Sequence, residues 1–262
     1  MAEQDFLIER REGIATLVIN RPEMRNAING EMWAALPRLM AGLNADPEVR
    51  VIVLRGAGQK AFASGADISR FGVERSTPEQ VRAYSAQGDA AISSIERSPK
   101  AVIAMVYGYA MGGGCSLAAA CDIRIAGESA RFGIPSARLG IVVRLKDIRR
   151  LVWLIGPAYA REMLISARAY SAQEALRIGL VNAVVPDVEL ERHTYDRAAQ
   201  IAGNAPFSIA GAKASILACL EDPALANPGE VAELCITCFA TEDHKEGVRA
   251  FLEKRKPRFQ GR

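Results

Sequence analysis

The sequence predicts an α/β fold finished by a helical layer, and three observations carry that prediction. Strand-like and helical patterns alternate over the first three quarters of the chain. A hydrophobic strand, Ala101 to Val106, leads into Gly112-Gly113-Gly114 and then an apolar, helix-like run. From about Pro186 onward the pattern is helical throughout.

Ala15 to Asn20 and Arg50 to Arg55 read as strands. Between them Trp33, Leu36, Leu39, Met40 and Leu43 recur at helical spacing behind an Asn29 cap, with Pro37 as a candidate kink. Thr77-Pro78-Glu79-Gln80 has the pattern of a capping box with proline at the first helical position, and this helix should end near Ser98-Pro99. After the glycine cluster, Asp122 to Ala126 and Ala130 to Gly133 read as short strands. The helical part divides at prolines and polar breaks into Val188 to Asn204, Pro206 to Leu220, Pro228 to Ala240 and Thr241 to Lys256. No Gly/Ser linker sets it apart, so we expect a core over residues 1–195 and a helical region over 196–262 packed on it.

A chain of 262 residues that is 50% hydrophobic can bury one large core. A formal charge of +3, without a long block of one sign, gives no reason to expect a nucleic-acid partner. The longest apolar runs have strand length, so no membrane association is expected. Met1 to Arg10 is interrupted by acidic residues and does not read as a signal peptide. The cysteine count is odd, five, and a reduced, cytoplasmic setting is the economical reading. Cys235-Ile236-Thr237-Cys238 stands alone as a C-x-x-C and reads as a helix with two core cysteines; no metal is expected.

Two stretches carry the chemistry: Ala61 to Asp67 (AFASGAD) and Gly108 to Asp122 (GYAMGGGCSLAAACD). Gly65 permits a turn that brings the Ala66 N–H forward, and the glycine cluster at a helix start exposes free N–H groups. Two such turns can aim peptide N–H groups at one oxygen atom as an oxyanion hole. The alternative is that the glycines only permit close helix–strand packing.

Several motifs in order, Asn20-Arg21-Pro22 with Asn26-Ala27-Ile28-Asn29, AFASGADI, GYAMGGGC, ACDIRIA, ARFGIP, Gly179-Leu180-Val181 and FLEKRKPRF, resemble the enoyl-CoA hydratase/isomerase, or crotonase, family over nearly the whole chain. The resemblance implies a crotonase-like spiral of β-β-α units with an α-helical C-terminal trimerisation layer, hence a homotrimer or homohexamer. It implies an acyl-CoA substrate, coenzyme A as part of that substrate, and no tightly bound cofactor. It also implies that the Ala66 and Gly113 N–H groups stabilise an enolate.

The glutamate pair with which similar hydratases handle water and proton is replaced by Ser116 and Ser136. An unactivated serine cannot accept a proton near pH 7, so hydration should be slow. Arg144 falls where those hydratases have a glycine. It either binds a second acid group on the acyl chain or joins Lys146, Arg149 and Arg150 on a solvated helix face paired with Asp147. By the same resemblance, the Ser64 carbonyl receives the adenine amino group, Arg25 meets a CoA phosphate, and the Asp67 and Ile68 segment borders the cofactor. Phe251 and Lys254 close over the adenine end from a neighbouring subunit. Ser69 stands where a lysine often makes a phosphate contact. Asp67 is expected to hold the Ala66 turn by accepting backbone hydrogen bonds. Three readings stay open: an enolate-stabilising enzyme without a glutamate pair, such as a decarboxylase of a carboxy-acyl-CoA; a hydratase or isomerase with its acid/base group elsewhere, Asp147 being nearest; and a non-catalytic acyl-CoA-binding subunit.

Overall fold

The computed structural model of the chain describes residues 2–204, 206–220, 240 and 242–255. Among the described residues, ten strands form two sheets. The first has the order β1 (Phe6–Arg11), β2 (Ile14–Ile19), β3 (Val51–Gly56), β5 (Ala101–Val106), β7 (Ile123–Gly127) and β10 (Ala183–Val185). The second has the order β4 (Ala61–Ala63), β6 (Tyr109–Met111), β8 (Arg131–Gly133) and β9 (Tyr170–Ser171). β1/β2 and β8/β9 are antiparallel and all other neighbours are parallel.

The order shows how the chain winds. β3, β5 and β7 each enter the first sheet and hand on to β4, β6 and β8 of the second. The intervening helices are α1 (Gly30–Ala45), α2 (Phe71–Glu74), α3 (Pro78–Glu96) and α4 (Gly113–Ala120). α5 (Leu145–Ser166) and α6 (Ala172–Arg177) follow, then α7 (Asp187–Ala202), α8 (Pro206–Leu220) and α9 (Glu242–Leu252). This is the predicted α/β spiral of β-β-α units. The sequence reading had the strand at Ala101 run straight into the glycine cluster; instead β6 lies between them and joins the other sheet.

The first sheet is covered on both faces, which is why its strands read as unbroken apolar runs. With a period of two, Ile52, Leu54, Val102, Ala104 and Val106 face the main core, which α1, α3 and α4 also fill. Val51, Val53, Ile103 and Met105 face a second core closed by Leu190 and Ala198 of α7. Local signals match their sequence patterns. Asn29 caps α1 by accepting from Met32 N–H, and α1 runs unbroken through Pro37. Thr77 and Gln80 form the complete capping box of α3. α5 changes direction at Gly156, φ 68°, before Pro157. The helix expected at Pro228 to Ala240 and the Cys235/Cys238 pair lie outside the described residues. Among the described residues no helix is long and apolar enough to cross a membrane.

Candidate active site

The two glycine turns meet at the wall of one cavity of about 1210 Å³. Ala66 forms a parallel bridge with Ile28, in which Ile28 N–H donates to Gly65 O (2.8 Å) and Asp67 N–H donates to Ile28 O (2.9 Å). Backbone groups point alternately to either side of an extended segment, so the N–H of Ala66 itself points away from Ile28. Gly65, at φ +105°, lets the turns touch: a Cβ there would stand 2.8 Å from Met111 O and 3.5 Å from Gly113 N. Gly112, at φ 52°, donates to Gly133 O (2.8 Å) and starts α4 at Gly113, whose N–H has no acceptor within the helix. A Cβ on Gly113 would lie 3.9 Å from Ala66 N, so the two N–H groups are neighbours. Among the described residues, neither donates to a protein acceptor.

Asp67 holds the Ala66 turn, but through side chains rather than the expected backbone donors. Its Oδ2 accepts from Arg21 Nη1 (3.1 Å) and its Oδ1 from Ser69 Oγ (2.6 Å). Arg21 Nη1 also donates to Ala27 O at 2.9 Å, so one guanidinium ties together both segments of the Ile28–Ala66 bridge. Asn26 completes the clamp: its Oδ1 accepts from Arg21 N–H, and its Nδ2 donates to Ala57 O and Ala61 O.

Ser116, buried on α4, and half-buried Ser136, in the turn Ser136–Leu139, both line the cavity. Arg144 lines it too, at the N-cap of α5. Its guanidinium is engaged by the protein: Nε and Nη2 reach Asp147 Oδ2 (2.9 and 2.8 Å), and Nη1 reaches Asp89 Oδ1 (3.0 Å) and Ser85 O (2.9 Å). Burial opposes the charge on Arg144, but Asp147 and Asp89 outweigh it and raise its pKa. The solvated helix face is therefore replaced by a half-buried ion network. Asp147 also accepts from Arg150 Nη1 through Oδ1 (3.1 Å), and Arg150 pairs with Glu96. With each carboxylate oxygen of Asp147 held by a guanidinium, the group is poorly placed to take a proton from substrate.

Arg25, Ser64 and Ile68 also line the cavity, with Arg25 exposed. Phe251 lines it from α9, which packs against the Ser136–Leu139 turn of the same chain. His244 Nδ1 lies 3.1 Å from Leu139 O, and its ring stacks on Phe71 with centroids 6.1 Å apart. Phe251 thus lines the cavity of its own chain, where the sequence reading expected it to close over the adenine end of a neighbouring subunit's site. Lys254 is exposed and does not line the cavity. Burial lowers the His244 pKa, and nearby Arg75 adds to the effect.

The sequence reading missed three cavity residues. Trp33 Cζ2 would lie 3.0 Å from a Cβ on Gly113, and its Nε1 donates to Tyr84 Oη at 2.8 Å. Both sit at apolar helix positions and read as ordinary core. Arg75, in the polar run before the Thr77 cap, lies with Cζ 4.0 Å from the Phe71 ring centroid and 3.7 Å from that of Tyr84. No local pattern marks it. Cys115 and Cys121 are buried free thiols whose pKa values burial pushes up to about 12, so neither is a thiolate at neutral pH.

Residues 9–262 match the family model described as enoyl-CoA hydratase/isomerase. The chain is 38% identical over 262 residues to the crotonyl-CoA hydratase of Syntrophomonas wolfei, covering 99% of each. An enoyl-CoA hydratase/carnithine racemase from Magnetospirillum magneticum superimposes with a TM-score of 0.80 at 37% identity, covering 98% of this chain and 96% of that one. A methylmalonyl-CoA decarboxylase, solved in complex with 2-nitronate-propionyl-CoA, superimposes with a TM-score of 0.90 at 29% identity, covering 99% of each. With its two-sheet spiral and a cavity bordered by both glycine turns, this chain belongs to the enoyl-CoA hydratase/isomerase, or crotonase, family of acyl-CoA enzymes.

Proposed function

We propose that the chain acts on an acyl-CoA thioester by stabilising its enolate between the N–H groups of Ala66 and Gly113. The observation that carries this is their adjacency at the cavity wall, with neither spent on a protein acceptor among the described residues. Removing one donor from such a hole costs on the order of 3 to 4 kcal/mol of transition-state stabilisation. Arg25, the Ser64 carbonyl and the Asp67–Ile68 segment border the CoA moiety, and Phe251 covers it from α9 of the same chain. No tightly bound cofactor is required. Residues 196–262 form an oligomerisation region that makes a trimer or hexamer.

Ordinary hydration is disfavoured. Ser116 and Ser136 supply no carboxylate, and Asp147 is held by Arg144 and Arg150. A reaction that needs the hole but no base at the α-carbon fits these residues better. In decarboxylation of a carboxy-acyl-CoA, the bond between the α-carbon and the carboxylate breaks and its electron pair forms the enolate. CO₂ departs, and the α-carbon later takes a proton from solvent. A methylmalonyl-CoA decarboxylase of the same fold, 29% identical over 99% of this chain, is a precedent for this second reading.

The test is turnover of a panel of acyl-CoAs, including crotonyl-CoA and malonyl-type thioesters, by the wild type and by Gly113→Pro. Proline is tolerated at the first position of a helix, but its Cβ would meet Trp33 Cζ2 at 3.0 Å, so the melting temperature of the variant is measured alongside its turnover. Turnover should fall by about 10²- to 10³-fold. Undiminished turnover in a folded variant would refute the hole.

A further inference from the structure

The cavity wall that begins beside Gly113 is cross-braced. The Trp33 ring closes against the glycine turn, where a Cβ on Gly113 would stand 3.0 Å from its Cζ2, and the residue is buried. Its Nε1 donates to Tyr84 Oη at 2.8 Å, and Tyr84 Oη in turn lies 3.5 Å from Ile28 O, on the segment that bridges to Ala66. The Tyr84 and Phe71 rings form aromatic shelves for the Arg75 guanidinium, which also hydrogen-bonds Tyr84. Phe71 stacks on His244 of α9. Trp33, Tyr84, Arg75 and Phe71 all line the cavity.

Such a wall cannot yield cheaply to a bound chain. Turning the indole aside would strip the buried Trp33 N–H of its acceptor. Moving the Tyr84 ring would take a shelf from Arg75, whose charge the two rings help to accommodate. The contacts run from α1 through α3 and α2 to α9, so a shift at one member is resisted by the next. The indole N–H and the phenol hydroxyl are spent within the wall, and ring surface is what Trp33 offers to a substrate.

Resting on the acyl-CoA reading above, but on neither choice of reaction, we infer that this wall is the end-stop of the acyl pocket, that the substrates are short-chain acyl thioesters, and that Trp33 is the residue that sets the limit. With the thioester oxygen at the Ala66 and Gly113 N–H groups, the acyl chain starts beside the indole and meets it within its first few carbons. Tyr84 and Arg75 act through Trp33, by keeping its ring in place.

The experiment is calorimetric titration of the full-length protein with saturated straight-chain thioesters from acetyl-CoA to decanoyl-CoA. Each methylene that enters an apolar pocket raises affinity about fourfold. In the wild type that rise should stop no later than hexanoyl-CoA. Trp33→Ala should let it continue, so that octanoyl-CoA binds about 10-fold tighter than hexanoyl-CoA. Tyr84→Phe keeps both rings but removes the acceptor for Trp33 Nε1, and should release part of that gain. A rise that continues past hexanoyl-CoA in the wild type would overturn the inference even if neither variant folds, as would an unchanged limit in folded Trp33→Ala. Failure of every thioester to bind would instead remove the acyl-CoA reading and this inference with it.

Discussion

Arg144 lies over Gly88: its Nη1 fills the space that a side chain on this α3 residue would occupy. The absence of a Cβ lets the guanidinium reach Ser85 O and Asp89 on α3 while holding Asp147 at the start of α5. The link between α3 and α5 therefore depends on a glycine in the middle of a helix, where alanine is ordinarily better by about 1 kcal/mol.

Gly88→Ala should reverse that ordinary preference. The methyl group displaces Arg144 from partners it cannot leave cheaply, so the variant should lose about 1 to 3 kcal/mol of stability in urea denaturation, within the range for overpacking a filled site. In an Arg144→Ala background the space is open, and the same substitution should be neutral or stabilising. A stabilising Gly88→Ala in the otherwise wild-type chain would show that Arg144 does not occupy this seat in solution.

The Arg21–Asp67 pair lies far from solvent, with 17% and 4% of the two side chains exposed. Arg21→Met leaves Asp67 buried beside Ser69 alone, and breaking a buried pair in this way costs about 3 to 5 kcal/mol. Because the pair holds the Ala66 turn, acyl-CoA turnover should fall as well. Arg21→Met combined with Asp67→Asn should cost less than the sum of the single changes. Strict additivity in denaturant titrations would mean that the two residues act independently.

His244 links stability to pH. Its pKa is lowered in the folded chain by burial and by Arg75, against an unfolded value of about 6.5. The unfolded chain thus takes up the proton first as pH falls. Stability should be complete above the unfolded pKa and decline as pH drops from there toward the lower folded value. Thermal melts across this window should show the decline in the wild type and a smaller one in His244→Phe. The two slopes being equal would place the titration elsewhere.

How far the sequence spoke for the structure depended on distance along the chain. Ala101 to Val106 and Pro206 to Leu220 coincide with β5 and α8, because an apolar run bounded by proline is a local signal. Thr77 and Gln80, three residues apart, announce their own capping box. β4 and β6 are three residues each and are defined by pairing in the second sheet, β4 with β6 and β6 with β8. The same contrast holds in the site. The glycine turns are visible as motifs, whereas the Arg21 partner of Asp67 is 46 residues away and the shelves of Arg75 come from α2 and α3. The packing of α9 on its own Ser136–Leu139 turn is set by Gly247, which sits 2.6 Å from Leu139 Cα measured from where a Cβ would be. Nothing in the terminal motif distinguishes that arrangement from one between subunits.

The two serines give the most direct test of the chemistry. Crotonyl-CoA hydration by the wild type should be weak or undetectable, because water must be deprotonated and a proton delivered to carbon, and neither Ser116 nor Ser136 titrates usefully near neutral pH. Both residues line the cavity next to the glycine turns, so glutamates introduced there face the same space as the bound thioester. A well-placed acid/base group contributes about 10² to 10⁴ in rate, so Ser116→Glu with Ser136→Glu should raise hydration by at least the lower figure. Either glutamate alone should help less, since each supplies one of two proton transfers. Arg144 should be kept in this variant, because its loss would free Asp147 and Asp89 from their main cation and confuse the readout. Ser116 is the more demanding site, being 5% exposed, and a glutamate there must point into the cavity for the helix to survive. Retained melting temperature, measured alongside the rates, separates a failed fold from a failed mechanism. Brisk hydration by the wild-type protein would refute this account and return attention to Asp147 as the base.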